Sequence, residues 1–558
     1  MGTAGIDSAA EYIAGQFEAI GLEPAGDSGT YYQTFPITLS PTLTASGRLA
    51  FSDDPIERKQ GADFIPFNFS SENDFSGGVV FCGYGIVNAE KGYDDFKDID
   101  LSGQAAVMFA GEPPSWADAE GNPTTHALHR NKVYNAKDRG AVAVLILNPK
   151  PDSSEGDRLP EFAAEGADAY GIPALHLTRS LAESVLRRGG LASLDDLQMK
   201  LDAGSHASGV AAHITVSGQA GLKRSTASAR NVLGLIRGRG ADADEVVVVG
   251  AHYDHLGVRR PMMRKFKAGK LVDDEIAPQI HNGADDNASG TSGLIEIARM
   301  FAAAPPERSV LFIAFSAEES GLHGSKYYVE HPYAPLEKTV AMLNMDMIGR
   351  LPRGDDRVTV FGVACGEGFA DVLDAADDAA GLTVVPAVDE GGRSDHASFL
   401  RKDIPSLHFF SGNHADYHQP GDDTHKINVA GGARITRLVY ETARELAERD
   451  ARPVFVAAKK KDAPARTTTF RVVMGLTPNY AEDGQPGMIV DAVSSEGPAE
   501  LAGMKTGDRI LRISGKTITN VYDYMAATRG NKAGDTVEVV VSRDGKEVPL
   551  KVTLAGAR

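Results

Sequence analysis

Three short apolar runs limit what this chain can fold into. Glu245-Val246-Val247-Val248-Val249-Gly250, Ser309-Val310-Leu311-Phe312-Ile313-Ala314-Phe315 and Val340 to Asn344 hold almost no polar side chain between their ends. Strands of this kind are buried on both faces, as in a parallel sheet covered by helices. Helical patterns occupy 290–303, 321–331, 366–379 and 428–449. That alternation predicts an α/β domain of three layers, with a mixed central sheet between helices. Ligands of such sheets gather outside the carboxyl ends of the strands. The residues just after each run are therefore the ones that carry chemistry.

The first run leads into Ala251-His252-Tyr253-Asp254-His255-Leu256-Gly257, where the strand period places His252 and Asp254 on one side. The second delivers Ser316-Ala317-Glu318-Glu319-Ser320-Gly321, and the third delivers Asp346. Asp416-Tyr417-His418 comes late in the chain. Between the first and second runs, Asn282-Gly283-Ala284-Asp285-Asp286-Asn287-Ala288-Ser289-Gly290 is a glycine-flanked turn ahead of an apolar helix, Leu294 to Phe301. Acidic residues are common at a helix entry. Two adjacent anions with no Lys or Arg nearby in sequence nonetheless call for a cation. His252, Asp286, Glu319, Asp346 and His418 form a donor set of two imidazoles and three carboxylates, suited to zinc. Five such groups, one of them a bridging carboxylate, suit two ions better than one.

The segments HYDHLG, NGADDNASG, SAEESGLHGS, NMDMIG, RSDHASF and DYHQPGDDT, in this order, resemble the double-zinc aminopeptidase family. That family includes bacterial leucyl-type aminopeptidases and aminopeptidase Y, with glutamate carboxypeptidase II, glutaminyl cyclase and the transferrin receptor as distant relatives. The resemblance implies that His252, Asp286, Glu319, Asp346 and His418 hold two Zn(2+) ions, with Asp286 bridging. It places Glu318 as general acid/base, Asp254 as the carboxylate that orients His252, and Tyr417 beside the tetrahedral intermediate. The implied activity is removal of N-terminal residues, apolar ones by expectation, from peptide substrates. A carboxypeptidase or dipeptidase of the same fold is the nearest alternative. A non-catalytic peptide-binding protein is the alternative from another class, and the complete ligand set with Glu318 argues against it.

The flanking sequence suggests further modules. Residues 1–71 are expected to begin the peptidase domain, with a helix over 6–20 that Asp7 or Ser8 caps and Gly21 ends. From 72 to 215 short strands and glycine turns resemble an inserted protease-associated domain that covers the cleft or gates long substrates; the peptidase resumes over 216–452. Asp152 to Gly156 reads as a surface loop. His126 and His129, three apart, read as a solvated pair, with a third metal as the alternative. Residues 453–467 read as a linker. Residues 468–558, with GPAELAGMKTGDRIL, resemble a PDZ domain. Such a domain implies a C-terminal peptide ligand added at a sheet edge near Gly475 and Leu476, or else a module that only packs against the catalytic domain.

Arg259, Arg260, Arg264, Lys265 and Lys267 form a basic loop, solvated or facing a substrate carboxylate. Arg393 and Phe399 are candidates for substrate contact. Ser394-Asp395-His396 cannot be a triad, since three consecutive residues do not converge and no G-x-S-x-G is present. A net charge of −19 disfavours nucleic acid and anionic membranes as partners. No apolar run reaches 18 residues, so no membrane span is expected. Cys82 and Cys365 show no metal spacing and read as buried thiols. Met1-Gly2-Thr3-Ala4-Gly5 looks like the middle of the family's GTxG segment. Removal of an upstream signal segment, and a secreted or periplasmic location, are therefore expected.

Overall fold

The computed structural model describes residues 2–89, 91–116, 123–149, 157–162, 169–259, 264–267, 270–273, 277–354, 356–387, 394–457, 472–478, 486–519, 521–528 and 531–556. Residues 38–226 form one compact unit, and the remaining described residues form another.

The second unit is built on a twisted mixed sheet. Its helix α1 (Ala4–Ile20) buries Ala10, Ile13 and Phe17 and ends at Gly21, whose φ of 92° suits a residue without Cβ. Thr3 occupies the N-cap position, so neither Asp7 nor Ser8 caps the helix as the sequence suggested; Asp7 pairs with Arg230 instead. Strand β1 (Tyr32–Thr38) pairs with β2 (Thr226–Ile236). The three apolar runs become β3 (Val246–His252), β4 (Ser309–Phe315) and β5 (Thr339–Met345), every residue of which is buried. Strand β3 lies between β4 and β5 and is parallel to both, in a register that sets His252 opposite Phe315 and Gly250 opposite Asn344.

Beyond β5 come β8 (Ser406–Phe410), β6 (Arg357–Phe361) and β7 (Thr383–Ala387), with β6 antiparallel to β8. Period two splits the core between the faces. Val247, Val249 and Ala251 pack with Leu294, Ile297 and Phe301 of α2 (Gly290–Ala303) and with Leu438 of the later helix Val429–Glu448. Val246 and Val248 face Phe315, Tyr328, Met342 and Phe399 on the other side. Burial of such side chains at about 25 cal/mol per Å² is the main force holding the layers together.

The unit of residues 38–226 has its own sheet. Its strand order is Asp54–Arg58, Arg48–Phe51, Gly209–Gln219, Asp74–Phe81, Ala105–Phe109, Ala143–Leu147, Ala174–Leu177 and Phe64–Pro66. The strands within 48–66, which the sequence reading assigned to the start of the peptidase domain, pair here. Antiparallel pairing of Arg48–Phe51 with Gly209–Gln219 joins segments more than 160 residues apart, which no local pattern reveals. His126 and His129 do not form a solvated pair. His126 Nε2 lies 3.1 Å from Asn88 Nδ2, while the His129 ring packs 4.8 Å from Phe67, and burial lowers His129 to about 4. Among the described residues no metal-type cluster gathers in this unit. Asp152–Gly156 lies outside the described residues.

Val454–Phe455 pairs with Gly366–Glu367, so the start of the expected linker is strand; residues 458–467 lie outside the described part. The C-terminal module is a separate sheet in the order Leu476–Pro478, Met488–Val493, Arg509–Ile513, Thr536–Arg543 and Lys546–Thr553. Gly475, with φ of 71°, turns the chain into Leu476–Pro478, the edge strand among the described residues. Among the described residues no helix is long and apolar enough to cross a membrane. Cys82 and Cys365 are buried and in no disulfide.

Candidate metal centre

The carboxyl ends of β3, β4 and β5 bring the predicted residues together. His252 ends β3. Its Nδ1 lies 3.1 Å from the main-chain oxygen of Asp254. A carbonyl only accepts, so Nδ1 carries the proton and Nε2 keeps its lone pair for a metal. This revises the role expected of Asp254. Its carboxylate lies 3.9 Å from Nδ1 and instead accepts the N–H groups of Glu318 (3.0 Å) and Glu319 (3.4 Å). Asp254 thus orients the histidine through its carbonyl and the two glutamates through its side chain.

Asp286 lies in a kinked turn, 284–289, that precedes α2. The turn is fixed from beneath by Asp422, whose Oδ2 accepts the N–H of Asp285 (2.9 Å) and of Asp286 (3.0 Å). The two oxygens of Asp286 then face different histidines. Oδ1 is 3.3 Å from His252 Nε2, and Oδ2 is 3.3 Å from His418 Nε2. Asp346 Oδ1 is 3.4 Å from His252 Nε2, and Glu319 Oε2 is 3.1 Å from His418 Nε2.

These separations test the fit to zinc. With zinc–nitrogen and zinc–oxygen bonds of about 2.0–2.2 Å, two donors of one tetrahedral ion lie roughly 3.3–3.5 Å apart. The four contacts fall at or just below that range. His252 Nε2 and Asp346 Oδ1 are also buried without a hydrogen-bond partner among the described residues. The donor set therefore fits two cations that share the Asp286 carboxylate. Glu318 stands off this arrangement, with Oε2 4.0 Å from His252 Nε2.

His255, which sequence reasoning passed over, also enters the cluster. Its Nδ1 is 2.7 Å from Glu319 Oε1 but 3.9 Å from Asp286 Oδ2. The first distance is short for two ligands of one ion and the second long, whereas 2.7 Å suits a charge-assisted hydrogen bond. The signal was present as the second histidine of HYDHLG.

The backbone at the site is held in uncommon conformations. Ala317, Met347 and His418 have φ of 60°, 57° and 56°. Left-handed conformations of this kind in non-glycine residues cost about 1–3 kcal/mol each and persist only where the surroundings hold them. Met347 is pinned by Asn287 Oδ1 at its N–H (3.3 Å) and by the Ser411 N–H (2.9 Å) and hydroxyl (2.7 Å) at its carbonyl.

The electrostatics are those of a site with too much negative charge. Burial, then repulsion from Asp346, Asp395 and Glu319, holds Glu318 well above the ordinary carboxylate range, with His252 opposing. Burial alone would lower His252, but Asp346, Glu318 and Asp286 outweigh it and raise it. Burial likewise acts to raise Glu319, yet its contacts with His255 and His418 bring it down to about 2. Burial pushes Asp254 up to about 6 and Asp395 to about 7. Cations in the cluster relieve this excess directly.

The other candidates fall around or away from the centre. Tyr417 stacks on the His418 ring at 3.9 Å and is 43% exposed, so it borders the opening. Phe399 is a core residue packed on Phe315 and Tyr328, not a substrate contact. Ser394 Oγ accepts from Asn344, and His396 stacks on His408, so the pair makes no triad. Arg259 is exposed; Arg260, Arg393 and the side chains of Arg264, Lys265 and Lys267 lie outside the described residues.

Residues 231–443 match peptidase family M28, residues 57–185 match the PA domain and residues 472–554 match the PDZ domain. The chain is 24% identical over 374 residues to aminopeptidase YwaD of Bacillus subtilis, covering 64% of this chain and 67% of that protein. It is 31% identical over 270 residues to leupeptin-inactivating enzyme 1 of Streptomyces exfoliatus, covering 47% of this chain and 51% of that protein. Among solved structures, an aminopeptidase from Aneurinibacillus sp. strain AM-1 superposes with a TM-score of 0.47 at 23% identity, covering 84% of this chain and 93% of that one. The region that carries the candidate cation ligands is thus similar to peptidase family M28, and regions similar to the PA and PDZ domains flank it.

Proposed function

We propose that this peptidase is an aminopeptidase that works with two zinc ions shared by Asp286. One ion would be held by His252, Asp286 and Asp346, the other by His418, Asp286 and Glu319. The observation that carries this reading is the set of four donor separations, 3.1–3.4 Å, arranged around both oxygens of one carboxylate. The names of relatives, aminopeptidase YwaD and leucine aminopeptidase 2 of Arthroderma otae, agree with it.

When bound, the zinc ions supply a water of lowered pKa and polarise the scissile carbonyl. The chain's own residues do the rest. Glu318 lies beside the proposed metal ligands, 11% exposed and without sharing their positions, so it is free to take a proton from water and pass it to the leaving amine. Asp254 holds the main chain of Glu318 and Glu319, so that one carboxylate faces the metals and its neighbour faces the reacting bond. Tyr417, stacked on His418 at the rim, would donate to the developing oxyanion. The PDZ module binds peptides, and a C-terminal peptide would add to the edge strand Leu476–Pro478 with its carboxylate at the Gly475–Leu476 turn.

The test compares hydrolysis of leucyl-anilide with its N-blocked form, with and without a chelator. Cleavage of the free-amine substrate alone, abolished by chelation and restored by zinc, is expected. Equal cleavage of the blocked substrate would refute the aminopeptidase assignment. Chelator-sensitive release of C-terminal residues would establish the carboxypeptidase reading in its place.

A further inference from the structure

The Glu319 carboxylate is used at both ends. Oε2 lies 3.1 Å from His418 Nε2, on the metal side, and Oε1 lies 2.7 Å from His255 Nδ1. Glu319 is a carboxylate acceptor, so His255 donates through Nδ1–H. The imidazole is 9% exposed and meets the His418 ring edge-on, with centroids 5.8 Å apart at 66°. Its seat is made by Gly283. A Cβ at that position would fall 2.3 Å from the Asp286 main-chain oxygen, 2.7 Å from His255 Cγ and 2.8 Å from Cδ2, closer than side chains pack, so the glycine serves the Asp286 turn as well as the ring. Gly283 also takes a φ of 62°, which lets the chain turn from the ring into the Asp286 turn.

We propose that His255 is a positioning residue that ties up Glu319 Oε1 and so makes Glu319 a one-oxygen ligand of the second metal. This inference rests on the two-zinc reading. A glutamate with two free oxygens can chelate a zinc ion through both, or rotate its plane away from it. The His255 hydrogen bond removes both freedoms. It also keeps Glu319 from exchanging roles with Glu318, whose carboxylate has no such tether among the contacts described. His255 itself is not a ligand: it lies 3.9 Å from Asp286 Oδ2, while the ligand pairs lie at 3.1–3.4 Å.

The test is zinc binding by the full chain, stripped of metal and titrated against a competing chromophoric chelator. The wild type is expected to take up two ions of distinguishable affinity. Removing the donor with His255→Ala should weaken one of them about 10–100-fold, the usual cost of losing a partner of a metal ligand, and leave the other unchanged. His255→Asn, whose amide reaches where Nδ1 stood, should recover most of that loss. Gly283→Ala, which presses on the Asp286 main chain as well as the ring, should weaken both ions. Circular dichroism confirms that each variant is folded. His255→Ala binding both ions like the wild type overturns the assignment, because a merely structural histidine leaves zinc affinity intact. His255→Asn as weak as His255→Ala overturns it too, and makes His255 a ligand. A wild type that binds one ion refutes the two-zinc reading itself.

Discussion

Glu318→Gln separates proton transfer from metal binding. The amide is isosteric and leaves the Glu318 N–H bonded to Asp254. The replaced oxygen lies 4.0 Å from His252 Nε2, outside the 3.1–3.4 Å at which the ligand pairs stand. The variant should therefore keep both zinc ions. It should lose the contribution of a positioned acid/base, typically 10²- to 10⁴-fold, which corresponds to about 3–5 kcal/mol of transition-state stabilisation. A glutamine at the neighbouring position makes the contrast. Glu319→Gln removes an anion that meets both His255 and His418, and should cost the protein one of its ions. The assay is metal content by elemental analysis beside kcat and KM on leucyl-anilide. With chemistry removed and binding intact, the Glu318 loss should fall in kcat rather than KM. Loss of zinc from Glu318→Gln with retention by Glu319→Gln would refute the reasoning and exchange the roles of the two residues.

Two predictions concern the rest of the molecule. Lys132 is fully buried in the residue 38–226 unit, bonded to the Tyr84 carbonyl, and burial lowers it to about 7. The unfolded chain keeps this proton up to about pH 10, so from pH 7 to about 8.5 the unfolded state binds more protons and Lys132 contributes a rise in stability of about 1.4 kcal/mol per unit; above that the buried Cys82 thiol, pushed up by burial, opposes it. Trp116, the chain's single tryptophan, lies in this unit, so urea unfolding followed by its fluorescence reports it directly. Lys132→Met should flatten the profile, and an unchanged slope would contradict the account. Phe399→Ala should cost about 3–5 kcal/mol of stability as a core truncation, with no change in selectivity among aminoacyl-anilides. Altered selectivity at full stability would instead make Phe399 part of the substrate site.

The placement of the site was legible because its residues sit where the sheet must end. His252, Glu318, Glu319 and Asp346 each follow a run too apolar to be anything but a buried strand. Asp286 stands in a turn whose Asn, Asp and Gly content is written in the sequence. Other features leave no trace in residue type. Asp254 orients His252 through a carbonyl that every residue carries. The strand Arg48–Phe51 finds its partner across more than 160 residues, and its own pattern does not say which sheet it will join. Phe399 reads equally well as pocket or core until Phe315 and Tyr328 are seen against it. His255 was visible in the sequence, but its use depends on a glutamate 64 positions away.

Asp422 sits four residues after His418 in the same loop, and its carboxylate grips the turn that carries Asp286. Arg350, reaching both Asp416 and Asp422, ties that loop to the segment after Asp346. The supports of the two proposed cation positions are therefore a single bracket, not two independent hinges. If the loop swings outward to release one ion, it must also drag on the carboxylate that steadies the other. Loosening that loop should then lower both zinc affinities, each from its own starting value, instead of one alone.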